Sequence, residues 1–216
     1  MSYEYNIRYL KGAAALPLSG AFDPTEIPEP WKSLDEAVLD QMPWGGDYKP
    51  DTRARAGWNE QGIHVLMYSN EPQIRAEVLV HGGPVCTDSC VEFFLMPNPD
   101  SGLYLNCEVN PQGIVHLGVG DGRYGRLVMS VLPEGMNVTH SDHSGGWWAV
   151  SYTLPADFIR SKLDGNIQIN QAMRGNFYKC GDKTAHPHYV MFKPYDTEKP
   201  DYHRPELFAP MTLTGV

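Results

Sequence analysis

The sequence has no long hydrophobic run, and this absence excludes one class of protein. No stretch of the 216 residues approaches the about 18 continuous apolar residues of a membrane-spanning helix. The first ten residues, MSYEYNIRYL, contain an early glutamate and lack the basic and then apolar pattern of a leader peptide. We therefore expect a cytoplasmic protein that does not associate with membranes.

Positive charge is also scarce. Seventeen lysines and arginines stand against 26 aspartates and glutamates, which gives a formal net charge of −9. A surface with this excess of negative charge repels polyanions over most of its area. The sequence therefore argues against a nucleic acid partner.

Cysteines are few, and their spacing does not form a framework. Cys86, Cys90, Cys107 and Cys180 are too sparse for a small disulfide-stapled fold, and Cys86 and Cys90 lack the two-residue gap of a zinc knuckle. A chain of this length with 42% hydrophobic residues can bury one core without covalent bridges. We predict reduced thiols and a single domain over residues 1–216.

Histidine clusters that could hold a metal are incomplete. His140, Asp142 and His143 lie close together, and His186 and His188 can share one face of a strand, but no further ligand follows at a fixed spacing. We therefore expect no metal site and no cofactor, with calcium as the one cation left open.

Helix-like periodicity is rare, whereas short apolar runs broken by Gly, Pro, Asn or Asp recur about every ten residues. This rhythm predicts an all-β fold, a two-sheet antiparallel β-sandwich of jelly-roll type with one or two short helices. The predicted strands span residues 53–58, 63–69, 74–80, 91–96, 104–110, 114–119, 147–153, 167–173 and 189–193. The glycine-rich segment 118–122 is read as a hairpin turn, because no helix pattern follows it.

Two segments have helix start signals. In 33–41, Ser33 can act as the cap and Glu36 as its capping-box partner. In 155–162, Pro155 stands at an early helical position. Both predicted helices are short.

Residues 104–110 predict a strand with two different faces. Positions 105, 107 and 109 are apolar, while positions 104, 106, 108 and 110 are aromatic, amide or acidic. A polar face that carries rings suits a ligand surface better than a core. Sugar rings have an apolar C–H face and a rim of hydroxyls, which aromatic and polar side chains can match.

Four segments, taken in order, resemble one known family. They are AGWNEQGIHVL at 56–66, DSCVEFFL at 88–95 followed by Pro97, Tyr104 and NCEVNPQG at 106–113, NIQIN at 166–170, and PDYHRPELF at 200–208. Their order and spacing are similar to those of the family 9 carbohydrate-binding modules. The resemblance covers roughly residues 30–214.

The resemblance implies a sandwich that clasps the end of a sugar chain, such as a β-glucan or xylan fragment, between two aromatic rings. Glu92 matches the family's sugar-binding glutamate, and the ring of the last loop falls on Tyr202 or His203. Two positions depart from the family: Cys86 stands where a tryptophan is expected, and Glu108 where an arginine is expected. The family's exact sugar therefore cannot be carried over.

Further candidates for sugar contact come from the amide, cationic and aromatic residues of the strands and loops. Asn110 and Asn170 lie in the matched segments, and Arg174 follows on the strand after Asn170. Trp44 lies in the turn-rich segment PWGGDY, where an exposed ring is expected, whereas Trp58, Trp147 and Trp148 read as core residues.

Three alternatives stay open besides non-catalytic sugar binding. Glu92 and Glu108 could serve as the carboxylate pair of a glycoside hydrolase. Sandwiches of related fold can hold haem between a methionine and a histidine, although strand methionines such as Met67, Met96 and Met173 usually fill a core. A structural or interaction role is the third.

Overall fold

The computed structural model describes residues 3–12, 14–143 and 146–215. Over these residues the chain forms thirteen strands and one α-helix, joined by loops and four 3₁₀ turns. The elements are β1 (Tyr5–Tyr9), β2 (Glu36–Leu39), β3 (Asp51–Asn59), β4 (Gly62–Glu71), β5 (Cys90–Met96), β6 (Tyr104–Val109), β7 (Val115–Gly120), β8 (Leu127–Met129), β9 (Val138–His140), β10 (Gly146–Pro155), α1 (Ala156–Leu163), β11 (Ala172–Cys180), β12 (Tyr189–Met191) and β13 (Ala209–Thr214).

Hydrogen bonding joins the strands in one continuous ladder. The order is β8-β7-β6-β5-β11-β13-β1-β3-β4-β10-β9, with β12 paired to β11 and β2 paired to β3. All pairs are antiparallel except those of β1, which runs parallel to β13 and β3. The mostly-β fold is confirmed, whereas the division into two sheets of a jelly roll stays a prediction.

The ladder curls so that its two halves share one core. Phe93 on β5 stacks on Phe177 of β11 with 4.5 Å between ring centroids, and Tyr5 of β1 meets Phe177 edge-on. Trp148 and Tyr152 from β10, on the far half of the ladder, belong to the same buried cluster. Burial of these rings supplies the main driving force for folding.

A second buried cluster covers the other face of β5, β6 and β11. Phe94, Tyr104 and Tyr178 project from these strands, and the segment before β13 folds over them with Tyr202 and Phe208. Because side chains alternate along these strands, both faces of this part of the sheet pack against a buried core. The candidate functional site lies beside this second cluster.

Residues 33–41 do not form the predicted helix. A 3₁₀ turn at Trp31–Ser33 leads into strand β2 instead. The Ser33 hydroxyl donates to the Pro30 carbonyl, and Glu36 forms ion pairs with Arg53 and Arg55 across the sheet. These tertiary partners replace the capping box that the local sequence suggested.

Two predicted strands are also displaced. In the described chain, residues 74–80 form no strand, because the backbone N–H groups of Glu77 and Val78 bond to the Asp88 carboxylate. Residues 167–171 form no strand, because a turn at residues 169–170, in which Asn170 has a φ of 64°, interrupts the segment, and β11 begins only at Ala172. The other seven predicted strands, the hairpin turn after β7 and the second helix, found as α1, are confirmed.

No helix in the described residues is long and apolar enough to cross a membrane.

A buried ion pair ties β11 to β4. Lys179 Nζ lies 3.1 Å from Glu71 Oε1, and both side chains are almost completely buried. The ammonium also donates to the Cys180 carbonyl and His188 Nε2, while Trp148 and Ser89 donate to Glu71. Every charge in this network therefore has hydrogen-bond partners, as burial requires.

Lys179→Met should lower the free energy of unfolding by about 3–5 kcal/mol, because it leaves the Glu71 carboxylate buried without its cation. Urea denaturation would measure the change. Arg160→Met is the matched control, since it removes an exposed ion pair with Asp157 and should change stability little. Equal effects of the two variants would contradict this account of Lys179.

Candidate functional site

A pocket opens beside the second aromatic cluster, where β5 and β6 meet the segment before β13. Its floor consists of buried side chains and its rim of more exposed ones. It is lined by Cys86, Glu92, Phe94, Glu108, Arg123, Cys180, Asp182, Tyr189, Pro200, Asp201, Tyr202 and His203.

Two carboxylates form part of the floor. Glu92 on β5 lies directly opposite Glu108 on β6 in the antiparallel register. Their exposed fractions are only 3% and 8%. The predicted pair of acidic side chains therefore shares one pocket.

The environment of both carboxylates disfavours their charge. Burial, followed by the negative charge of Glu108, raises the pKa of Glu92 well above its ordinary value. Burial also raises the pKa of Glu108. Across residues 3–12, 14–143 and 146–215, no lysine or arginine forms an ion pair with either group.

Polar neighbours hold each carboxylate in place. The Cys180 thiol donates to Glu92 Oε1 at 2.9 Å, and Asn106 Nδ2 donates to Glu108 Oε1 at 2.8 Å. These contacts leave the remaining acceptor capacity of the two carboxylates available to a ligand.

An arginine reaches this face from the loop before β8, whereas the family pattern has its arginine at position 108 on β6. The Arg126 guanidinium donates to Asn106 Oδ1 at 2.9 Å and lies 4.1 Å above the Tyr104 ring. Gly118 leaves space for this contact, because a Cβ at position 118 would lie 2.4 Å from Asn106 Oδ1 and 3.3 Å from Arg126 Nε. Arg126 thereby orients the amide that binds Glu108.

The ring of Tyr202 is mainly a structural element that also borders the pocket. It stacks on Tyr178 with 4.0 Å between centroids, and its hydroxyl donates to the carbonyls of Lys179 and Val190. Only 8% of the residue is exposed. A ligand can therefore touch the edge of this ring but not lie flat on its face.

His203 offers a neutral imidazole to the pocket. Its Nδ1 lies 2.8 Å from the Tyr104 hydroxyl, and its ring packs against Phe94. Burial, followed by the charges of Arg126 and Arg123, lowers the pKa of His203 to about 4. At neutral pH the ring can therefore both donate and accept hydrogen bonds.

The rim carries charge of both signs. Arg123 and Asp201 form an ion pair at 2.7 Å, and Asp182 and Tyr189 lie on the same pocket. Counting Glu92 and Glu108, the pocket has more carboxylates than cations.

The structure brings four predicted site residues into this pocket: Glu92, Glu108, Tyr202 and His203. Trp44 is half-buried rather than exposed, because it packs against the pocket's aromatic wall and donates from Nε1 to the Thr197 carbonyl at 3.0 Å. It lines a neighbouring depression that shares Tyr189 and Pro200 with the pocket.

The other three predicted residues lie elsewhere. Asn110 is fully buried, and its amide clamps a turn through Val78, Asp88 and the backbone of Gln112. Asn170 is exposed in its left-handed turn, and Arg174 is exposed with one bond to the Glu206 carbonyl. None of the three lines the pocket, so we leave them out of the proposed site.

Sequence reasoning missed several pocket residues. Phe94 could have been found, because it lies two positions along β5 from Glu92, which faces the pocket. Cys180 gave no such signal, because it ends β11, and the strand predicted in this region stopped at residue 173. Arg123, Asp182 and Asp201 lie in loops, where no strand alternation indicates direction.

The methionines considered for haem binding fill the two cores. Met67 and Met173 belong to the central cluster and Met96 to the second one. No methionine is among the described residues that line the pocket.

A mostly-β domain with an acidic, ring-bordered pocket belongs to the class of ligand-binding modules. The model of carbohydrate-binding family 9 matches residues 31–213, which is most of the chain. The protein belongs to this carbohydrate-binding family. No curated protein matches it.

Solved structures resemble the whole chain. One is a candidate carbohydrate-binding protein from Bacteroides uniformis ATCC 8492, 25% identical, with a TM-score of 0.78 and coverage of 97% of this chain and 98% of that one. Two are structures of a family 9 module from Caldicellulosiruptor kristjanssonii. The cellotriose complex is 12% identical in sequence to this protein, with a TM-score of 0.66, and the match covers 99% of this chain and 94% of that chain. The glucose complex is 13% identical, with a TM-score of 0.66, and the match covers 99% of this chain and 96% of that chain.

Glu108→Gln should raise the free energy of unfolding of the ligand-free protein by about 1 kcal/mol at neutral pH, because it removes one of two facing buried carboxylates. Thermal or urea denaturation measures this. Glu134→Gln, at an exposed position away from the pocket, is the control and should have little effect. A clear loss of stability in Glu108→Gln would mean that the carboxylate holds the fold together.

Proposed function

We propose that this protein binds the end of an oligosaccharide or polysaccharide chain in the pocket between β5, β6 and the segment before β13, without cleaving it. The observation that carries the proposal is the pair of buried carboxylates, Glu92 and Glu108, which face one pocket without an ion-pair partner in the described chain. Membership of carbohydrate-binding family 9 supports the same class of ligand.

Sugar hydroxyls match the hydrogen-bonding capacity of this pocket. A carboxyl group accepts hydrogen bonds from sugar hydroxyls and, when it holds a proton, also donates one, so the two glutamates match neighbouring hydroxyls in either protonation state. His203 and Tyr189 add further donors and acceptors, and the edges of Phe94 and Tyr202 offer apolar contact to ring C–H groups.

A glucose-based ligand is the first choice for testing. The Caldicellulosiruptor kristjanssonii module, which shares the fold, was solved with cellotriose and with glucose. Two departures from the family pattern, Cys86 and Glu108, give this pocket fewer rings and more negative charge. We therefore propose a neutral sugar end, such as that of a β-glucan or xylan fragment, and expect a uronic acid at the end to be rejected by repulsion.

Titration calorimetry with cellotriose, xylotriose and a glucuronate-ended oligosaccharide tests the proposal. We expect saturable binding of at least one neutral sugar. Glu108→Gln and His203→Ala should each weaken that binding by about 1–3 kcal/mol, because each removes hydrogen bonds to hydroxyls. A sugar that binds equally well to both variants would place the site elsewhere.

Arg174→Ala and Asn170→Ala are the matched controls. The sequence suggested Asn170 through a family-like segment and Arg174 through the strand that follows it, but both residues lie outside the pocket. Both variants should bind sugar as the unchanged protein does. Loss of affinity in these controls, with none in the pocket variants, would favour the site read from sequence alone.

Tyr202→Phe separates the structural role of this ring from ligand contact. Loss of the hydroxyl bonds to the carbonyls of Lys179 and Val190 should lower stability by about 1 kcal/mol, because both carbonyls are buried. Sugar affinity at a temperature where the variant is folded should stay unchanged, since the ring edge remains. A large loss of affinity would instead show direct recognition by the hydroxyl.

Glycoside hydrolysis is a second candidate, favoured by one observation: two pocket carboxylates with raised pKa values stand on neighbouring strands. Hydrolases use such groups as proton donor and as base or nucleophile. Chromatography of the oligosaccharides after long incubation distinguishes the two functions. Our proposal expects intact ligand, and reducing sugar that disappears in Glu92→Gln would overturn it.

A further inference from the structure

Two cysteines and a glutamate converge at the base of the pocket. The Sγ atoms of Cys90 and Cys180 and one carboxylate oxygen of Glu92 all lie within 4.8 Å of one another. Each of the three residues is buried. Both thiols are free, so each sulfur is available as a ligand.

The sheet register creates this arrangement. Cys90 on β5 is the direct cross-strand partner of Cys180 on β11, and Glu92 is two residues further along β5. Alternation puts Cys90 and Glu92 on the same face of their strand. Rigid, paired strands therefore hold all three donors, as a preorganised site requires.

The pocket connects this group to solvent. Cys180 and Glu92 line the pocket itself, together with the half-buried Cys86 and the exposed Asp182. An ion can thus approach through the pocket, and solvent there can complete its coordination.

From this geometry we propose that Cys90, Cys180 and Glu92 form a binding site for a thiophilic divalent cation of the zinc type. Two sulfurs and one oxygen are donors that zinc accepts, whereas magnesium and calcium require oxygen ligands. A tetrahedral ion with Zn–S bonds of about 2.3 Å holds two sulfurs about 3.8 Å apart. The Sγ atoms of Cys90 and Cys180 lie at most 4.8 Å apart, so they exceed this separation by no more than about 1 Å.

The charge balance also accommodates a divalent cation. Binding converts the two thiols to thiolates, releases their two protons to solvent, and surrounds the ion with three negative ligands. The carboxylate of Glu92 has no lysine or arginine at ion-pair distance in the described part of the chain, and its opposite neighbour is Glu108. Because two protons leave as one divalent ion enters, the net charge of this buried group does not change, so the ion adds no uncompensated charge to the pocket floor.

The site uses one of the residues proposed for sugar contact, but its test does not depend on sugar. Chelator-treated protein, kept reduced, is titrated with Co²⁺ and with Zn²⁺ alone. We expect binding of one ion per chain and a thiolate-to-cobalt charge-transfer band that Zn²⁺ displaces. A protein that retains no zinc after dialysis and shows no such band would overturn the proposal.

Substitutions assign the ligands. Cys180→Ser and Glu92→Gln should each weaken Zn²⁺ binding by at least about tenfold, and Cys180→Ser should also reduce the charge-transfer band. Cys107→Ser is the matched control, because Cys107 is equally buried but faces the central core. It should bind zinc as the unchanged protein does.

Two results would contradict the assignment. Equal zinc affinity in Cys180→Ser and Cys107→Ser would place any bound ion at another group, for example His186 and His188. If Cys180→Ser does not fold, Glu92→Gln, which keeps the side-chain shape, decides alone: undiminished zinc affinity in that variant would overturn the proposal.

Discussion

The candidate site depends on the register of β5 with its two neighbours. This register sets Glu92 opposite Glu108 on one side and opposite Tyr178 on the other, and it sets Cys90 opposite Cys180. A shift of β5 by one residue would turn Phe93 toward the pocket and force Glu92 into the central core. The stacking of Phe93 on Phe177 and the burial of the adjacent side chains therefore maintain the functional face as well as the fold.

Burying two facing carboxylates works against stability. Neither has an ion-pair partner in the described chain, whereas the same sheet satisfies the Lys179 and Glu71 charges completely. The contrast is informative, because a fold that can build one compensated ion pair does not need to leave two acids uncompensated. Buried carboxyl groups with raised pKa values are typical of functional sites, where a ligand can complete their hydrogen bonding.

Strand alternation predicted much of the fold from sequence, since apolar positions at a period of two are a local signal. The helix predicted at residues 33–41 failed, because Glu36 finds Arg53 and Arg55 across the sheet instead of its own backbone. Local capping signals cannot reveal a partner that lies about 20 residues away in the chain. The strand predicted at residues 167–173 was wrong for a related reason, because Asn170 adopts a left-handed conformation in a turn that interrupts an otherwise strand-like segment.

The same distinction explains which pocket residues were predictable. Glu108 follows from the alternation of β6, and Glu92, Tyr202 and His203 follow from the family resemblance. Arg123, Asp182 and Asp201 reach the pocket from loops, whose direction depends on tertiary packing. Asn110 directly follows β6 and has an amide suited to sugar contact, but contacts within a turn use all four of its side-chain hydrogen bonds.

The two departures from the family pattern change the pocket together. A tryptophan at position 86 would offer a flat apolar surface, and an arginine at position 108 would neutralise Glu92. With Cys86 and Glu108 at these positions, the pocket gains a thiol and a second carboxyl group, and its apolar surface is smaller than a tryptophan would make it. Arg126 does not restore the balance, because its guanidinium is engaged with Asn106 and the Tyr104 ring rather than with either glutamate. Hydrogen bonding and charge, more than ring stacking, therefore have to provide the affinity of this pocket for its ligand.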